Sequence, residues 1–292
     1  MSDNALIKAE HLTHIYSQGT PFEHIALNDV SFEIEKGEFV GVIGHTGSGK
    51  STLMQHLNGL MKPTSGKLFF DGEDVWEKGY SLKQLRFNVG VVFQYPEYQL
   101  FEETVRKDVA FGPKNMGLSE DEVEKRVIDA VRFVGLDEKI LEKSPFDLSG
   151  GQKRRVAIAG IMAMRPKVLV LDEPTAGLDP YGRDRLLDEI EGYHRDTGAT
   201  VLFVSHRMED IAKICSRIMV MDSSKLAMFD SVQKVFARAE ELVSMGLDIP
   251  QITRIFLDLK KDGYDIDASV FTPERAVGEL LEYLNKKGKL ND

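Results

Sequence analysis

Short apolar runs separated by polar, glycine-bearing turns fill the first third of the chain. IKAEHLTHIY (7–16), SFEIEKGEFVGVIG (31–44) and KLFFDGEDV (67–75) carry this pattern and predict strands. Within the second, EFVGVIG is apolar at consecutive positions, as in a strand buried on both faces. It runs into GHTGSGKST (44–52) and then the helical TLMQHLNGL (52–60). From about residue 100 to 165 the apolar spacing becomes helical. In SEDEVEKRVIDAVRFVG (119–135), Val123, Val127, Ala130, Val131 and Val134 share one face and Ser119 stands at the N-cap position. Buried-type strands return at KVLVLDEP (167–174) and ATVLFVSH (199–206). Each precedes a helix, DRLLDEIEGYHRDTG (184–198) and RMEDIAKIC (207–215). Strand–helix alternation with continuous apolar strands predicts an α/β fold with a parallel sheet.

Past about Asp222 the signal weakens. SVQKVFARAEELVSMG (231–246) and PQITRIFLDLKKDG (250–263) read as amphipathic helices. TPERAVGELLEYLNKKG (272–288) reads as another, with Thr272 as cap and Pro273 at its first position. These form either a small helical appendage or extra helices packed on the main core.

The totals narrow the function. A chain of 292 residues that is 42% hydrophobic fills one large domain or two smaller ones. Its 47 acidic and 37 basic residues give a net charge of −10, a poor match to a phosphate backbone, so no nucleic-acid partner is expected. The single cysteine, Cys215, cannot form an internal disulfide and suits a reducing cytosol. MSDNALIKAE lacks the pattern of a signal peptide, and no apolar run approaches the ~20 residues of a membrane helix. The expectation is a chain soluble by itself that reaches a membrane only through a partner.

GHTGSGKST fits G-x-x-x-x-G-K-[ST] in the strand-to-helix context such a match requires. In that pattern glycines let backbone N–H groups approach phosphate oxygens, Lys50 faces the β/γ-phosphates and Ser51 can ligate Mg²⁺. Asp172 ends a buried strand where it can hold Mg²⁺, and Glu173 beside it can orient or deprotonate an attacking water. His206 ends the next strand and Gln94 ends the strand-like VGVVF. Either can reach a γ-phosphate, and Gln94 can also bind Mg²⁺ or water. One stretch does not belong to this set. DLSGGQKRRVAIAG (147–160) is a second anion-seeking helix start, with Ser149 as cap and two glycines leaving N–H groups uncovered.

Together these motifs resemble the nucleotide-binding subunit of an ABC transporter over residues 6–228. The resemblance implies a P-loop ATPase with a mostly parallel core sheet, an N-terminal antiparallel β subdomain and an inserted helical subdomain at about 96–165. The ATPase domain would span 1–222, with a C-terminal helical extension at 223–292. It implies ATP and Mg²⁺ as cofactors. Gly44, His45, Thr46, Gly47, Ser48, Gly49, Lys50, Ser51 and Thr52 would hold the phosphates, and Tyr16 would stack on adenine. Ser51, Gln94 and Asp172 would meet Mg²⁺. Lys50, Glu173 and His206 would be catalytic and Asp179 would mark the D-loop. Ser149, Gly150, Gly151 and Gln152 would act in trans, capping the γ-phosphate held by a second ATPase subunit, which explains why one chain carries two phosphate sites.

TPFEHIALNDVSF (20–32) and FQYPEYQLFEETVRKDVAFGPKNMGL (93–118) resemble the ATPases of energy-coupling factor (ECF) transporters, and the first resembles the second ATPase of heterodimeric pairs. This implies uptake of vitamins or related micronutrients at the cytoplasmic face of the cell membrane. The partners would be a second ATPase, a transmembrane coupling protein and a substrate-binding membrane protein. SSK (223–225) departs from relatives that carry a glycine before the lysine. A groove for a coupling helix would be lined by Tyr95, Tyr98 and Phe101, with Glu97, Glu102 and Glu103 free for basic partners. A conventional ABC importer or exporter subunit, and an ABC ATPase acting on ribosomes or DNA, stay open.

Overall fold

The computed structural model describes residues 5–287. The chain opens with β1 (Ala5–Tyr16), β2 (His24–Glu35), β3 (Phe39–Ile43), α1 (Lys50–Leu57), β4 (Ser65–Phe70), β5 (Glu73–Asp74), α2 (Leu82–Asn88) and β6 (Val89–Val92). The helical region follows with α3 (Val105–Asn115), α4 (Glu120–Phe133) and α5 (Gly150–Met162). Then come β7 (Val168–Asp172), α6 (Pro180–Thr197), β8 (Thr200–Val204), α7 (Met208–Ile214), β9 (Arg217–Asp222) and β10 (Lys225–Ser231). The chain ends with α8 (Val232–Phe236), α9 (Ala239–Ser244), α10 (Gln251–Lys261) and α11 (Pro273–Lys286).

The core sheet has the order β10-β9-β3-β8-β7-β6 and is parallel except at β10. β3, β6, β7 and β8 are apolar along nearly their whole length because both faces are covered. Val40, Val42, Val168, Val170, Leu202 and Val204 point into one apolar layer, shared with an antiparallel sheet β2-β1-β4-β5 and α1. Phe39, Ile43, Leu169, Leu171, Val201 and Phe203 point into the other, shared with α3 to α7. This alternation is the two-residue period of a strand.

Two expectations need correction. The sheet does not stop at Asp222, because β10 pairs with β9 beyond it, on the far side of the expected boundary. Residues 231–246 are not one helix: Ser231 ends β10 and caps α8, and the chain breaks at Ala237–Arg238 before α9. Val232, Val235, Phe236, Ala239 and Leu242 are all buried in the main core, so the apolar spacing runs through the break and hides it. Further on, Phe256, Ile266, Ala268, Val270 and Ala276 form a separate small cluster holding α10 and α11, with Leu257 touching both cores. Thr272 caps α11 as read. Residues 1–4 and Gly288, the last residue of the expected helix, lie outside the described residues.

Candidate functional site

Four loops leave the carboxyl ends of β3, β7, β8 and β6, where open α/β sheets place their ligands. They meet in a cleft of about 730 Å³ lined by Tyr16, Gly44, His45, Thr46, Gly47, Gly49, Lys50, Ser51, Thr52, Gln94, Asp172, Glu173 and His206. The sheet therefore brings together nearly every residue expected in cis. Ser48 differs. Its side chain is buried with no partner for Oγ among the described residues, and its N–H donates to His45 O at 3.1 Å, so the side chain stays out of the cleft and the N–H would exchange that carbonyl for a phosphate. Asp179 stands outside the cleft lining. It caps α6, its carboxylate accepting from Gly182 N at 2.7 Å.

Gly49, the N-cap of α1, has φ 101°, and a Cβ there would lie 2.3 Å from Ala26 O. Local geometry alone demands glycine. Lys50 Nζ donates to Gly44 O at 2.6 Å and His45 O at 2.9 Å, holding the loop curled around the cation. Burial pushes the Lys50 ammonium below its ordinary pKa, while Glu173 and Asp172 pull it back. Asp172 is pushed upward by burial and then by Glu173, with Lys50 opposing. Two carboxylates thus share one ammonium, and a divalent cation held by Asp172 would offset the remaining negative charge. The oxygen donors of Ser51, Gln94 and Asp172 suit Mg²⁺ rather than a softer metal.

Glu173 has φ 51°, a left-handed backbone rare for a side chain of this size. Its N–H donates to Val204 O at 3.0 Å, and its Oε2 lies 2.9 Å from His206 Nδ1. The strained turn aims the carboxylate into the cleft and the histidine holds it there.

Gly150 and Gly151, in the signature LSGGQ (148–152) at the second anion-seeking helix start, contrast with Gly49. Ser149 and Gln152 close a capping box, Ser149 Oγ accepting from Gln152 N at 3.3 Å and Gln152 Oε1 from Ser149 N at 3.1 Å. The N–H groups of Gly150 and Gly151 stay free at this end of α5. Both glycines are exposed, have ordinary φ, and a Cβ on either would meet nothing within 4 Å. Among the described residues nothing requires glycine there. The signature also contributes no residue to the cleft lining.

Two features escaped sequence reading. Arg154, in the run KRR, is not a solvated charge. It is buried, with Nε 3.3 Å from Glu97 Oε2 and Nη1 donating to the carbonyls of Pro174 and Ala176. It ties the signature helix to the segments that follow Gln94 and Glu173. Gly246, Leu247 and Asp248 line the cleft beside His206 and Met208, and Gln251 N donates to Glu209 Oε1 at 3.2 Å. Only the folded path of the C-terminal segment brings them there.

The coupling groove also needs correction. Glu97 is engaged by Arg154 and Glu103 by Lys107 at 2.5 Å, so neither is free as expected. A hollow of about 300 Å³ is lined by Phe87, Leu100, Phe101, Phe111, Ile161 and Met164 among others, without Tyr95 or Tyr98. Asp108 shapes its edge by accepting from Phe101 N and Glu102 N.

The model of the ABC transporter family matches residues 27–176. An energy-coupling factor transporter ATP-binding protein EcfA2 of Clostridium tetani is 55% identical over 96% of this chain and 98% of its own length. One so named from Ligilactobacillus salivarius is 53% identical over 98% and 99%. CbiO1 of Clostridium perfringens, described as part of the ABC transporter complex CbiONQ, superposes with a TM-score of 0.72 at 39% identity over 82% of this chain and 94% of that one. The cassette MJ0796, solved as a dimer in a post-hydrolysis state with ADP and Pi, gives 0.70 at 28% identity over 77% and 98%.

Proposed function

This chain belongs to the energy-coupling factor transporter ATP-binding proteins, a branch of the ABC transporter ATPases, and from that premise we infer how it works as the ATPase subunit of such an importer. The reading rests on one observation above all. The described residues hold a cleft able to take a nucleotide and, outside it, a capped helix start whose glycines none of them requires. Each is half of a site that a second ATPase subunit completes.

In this reading Lys50 and the N–H groups of residues 44–52 hold the phosphates and Tyr16 stacks on the base. Mg²⁺, bound by Ser51, Gln94 and Asp172, would neutralise phosphate charge. Glu173 takes a proton from the attacking water while His206 fixes its carboxylate. The free N–H groups at Gly150 and Gly151 meet the partner subunit's γ-phosphate with the partial positive charge of a helix N-terminus, ~0.5 of an elementary charge. That contact exists only while the γ-phosphate does, so hydrolysis opens the dimer. Asp179 caps α6 beside Gly177 and Leu178, where the dimer would meet.

No helix among the described residues is long and apolar enough to cross a membrane. The chain docks at the cytoplasmic face through the hollow beside Phe101 and Phe111. These rings meet edge to face at 5.0 Å and remain about half exposed. Phe111→Asp should weaken assembly with the membrane partners by ~30-fold or more, as loss of an aromatic anchor does, and leave ATP binding by the chain unchanged. Co-purification from detergent extracts measures the first and calorimetry the second. Undisturbed assembly would remove the hollow from consideration.

Purifying the tagged chain from solubilised membranes and identifying its companions by mass spectrometry tests the whole reading. A second ATPase, a transmembrane coupling protein and small substrate-binding membrane proteins are expected, with uptake of a vitamin or related micronutrient as the coupled work. Ribosomes or DNA would overturn it.

A further inference from the structure

Beneath Tyr16 lies a pair of histidines that the catalytic scheme does not use. His14 packs edge to face on Tyr16 at 4.6 Å between centroids, and on His56 at 4.7 Å. His56 comes from α1, six residues after Lys50, and is fully buried. Its Nδ1 lies 2.7 Å from Thr52 O. A carbonyl only accepts, so Nδ1 carries the proton. Its Nε2 lies 3.2 Å from His14 Nδ1. Burial disfavours the imidazolium of His56, as does His14, with Thr52 O opposing. The neutral ring therefore offers a bare Nε2, and His14 Nδ1–H donates to it.

The circuit closes on the other side. Tyr16 Oη lies 3.2 Å from Thr52 Oγ1 and donates to Met61 Sδ at 3.3 Å. Tyr16 thus touches α1 directly and again through two imidazoles. The backbone supplies less guidance here. The β1–β2 ladder shifts register on both sides of His14, so strand pairing alone leaves the end of β1 loosely defined.

We propose that His14 and His56 are positioning residues that fix the ring of Tyr16 relative to the phosphate loop, so that base and phosphates are gripped at a set separation. This rests on the reading that Tyr16 stacks on the base. Neither His14 nor His56 lines the cleft, so the pair governs nucleotide affinity and leaves the chemical step alone.

The test combines calorimetry of MgATP binding to the full-length chain with steady-state kinetics of the assembled transporter. H14A should bind MgATP about tenfold more weakly, the scale of one lost hydrogen bond and ring contact, with KM raised and kcat unchanged. H14N restores an N–H donor at nearly the same place and should recover most of the affinity. In a double-mutant cycle, H14A should add little to Y16L, because a positioning residue has nothing left to position. If H14A does not fold, H14F takes its place, keeping the bulk without the N–H. Wild-type affinity in H14A, or a loss that adds in full to that of Y16L, would overturn the proposal. Wild-type affinity in Y16L would overturn the base-stacking reading itself and the proposal with it.

Discussion

Glu173→Gln is expected to cut ATP turnover at the site it serves by at least ~10²-fold, within the ~10²–10⁴ range of a general base, while MgATP still binds. The amide fills the same space at the left-handed turn and can still accept from His206 Nδ1, so the loop after β7 should keep its shape. What disappears is the group able to take a proton from water. Binding should not suffer. Removing one of two adjacent carboxylates takes away the like charge that, after burial, pushes Asp172 upward, so the anionic form of Asp172 beside Lys50 is favoured no less than before. Phosphate release by the assembled transporter measures turnover, and gel filtration with MgATP measures the dimer, which should persist because the γ-phosphate is never lost. Turnover near wild type would remove Glu173 from the chemistry. His206→Ala provides a second view, since it frees the carboxylate without deleting it and should cost less than the loss of Glu173 itself.

Why these residues were readable in the sequence has a physical basis. A strand covered on both faces must be apolar throughout, so VLVL and VLFV announce themselves, and the first polar residue after each marks the sheet edge where ligands bind. The loop at Gly44–Thr52 is readable because close approach of backbone to phosphate restricts composition. The failures share another cause. Arg154 does not stand out in the sequence because local sequence cannot report that Glu97, Pro174 and Ala176 converge on it from two other segments. β10 was missed because an antiparallel edge strand needs only part of its residues apolar: only Met228 of its seven is buried. Gly246–Asp248 reach the cleft through the return of the C-terminal segment, and His14 and His56 meet across 42 positions. In each case the information lies in tertiary proximity, which no local period carries.

The signature helix yields the other large effect, and two substitutions at one position separate its role from the fold. Gly151→Ala places a methyl group where nothing lies within 4 Å and replaces glycine by the better helix former. Stability of the isolated chain should stay level or rise by up to ~1 kcal/mol. Turnover should nevertheless fall, since the methyl enters the space through which a partner's nucleotide must approach. Gly151→Asp goes further and sets a carboxylate against the γ-phosphate. At an effective dielectric of ~20 two unit charges 4 Å apart repel by ~4 kcal/mol, about a thousandfold in the closing equilibrium. The cleft in cis contains no signature residue, so MgATP affinity of the separate subunit should match wild type. Closure and hydrolysis should fail only at the site that this signature caps. Chemical denaturation, calorimetry on the single subunit and ATP-dependent dimerisation with its partner read the three quantities independently. If Gly151→Asp abolished nucleotide binding by the single, folded subunit, the signature would be serving its own chain's nucleotide, and the half-site argument built on its unneeded glycines would fall.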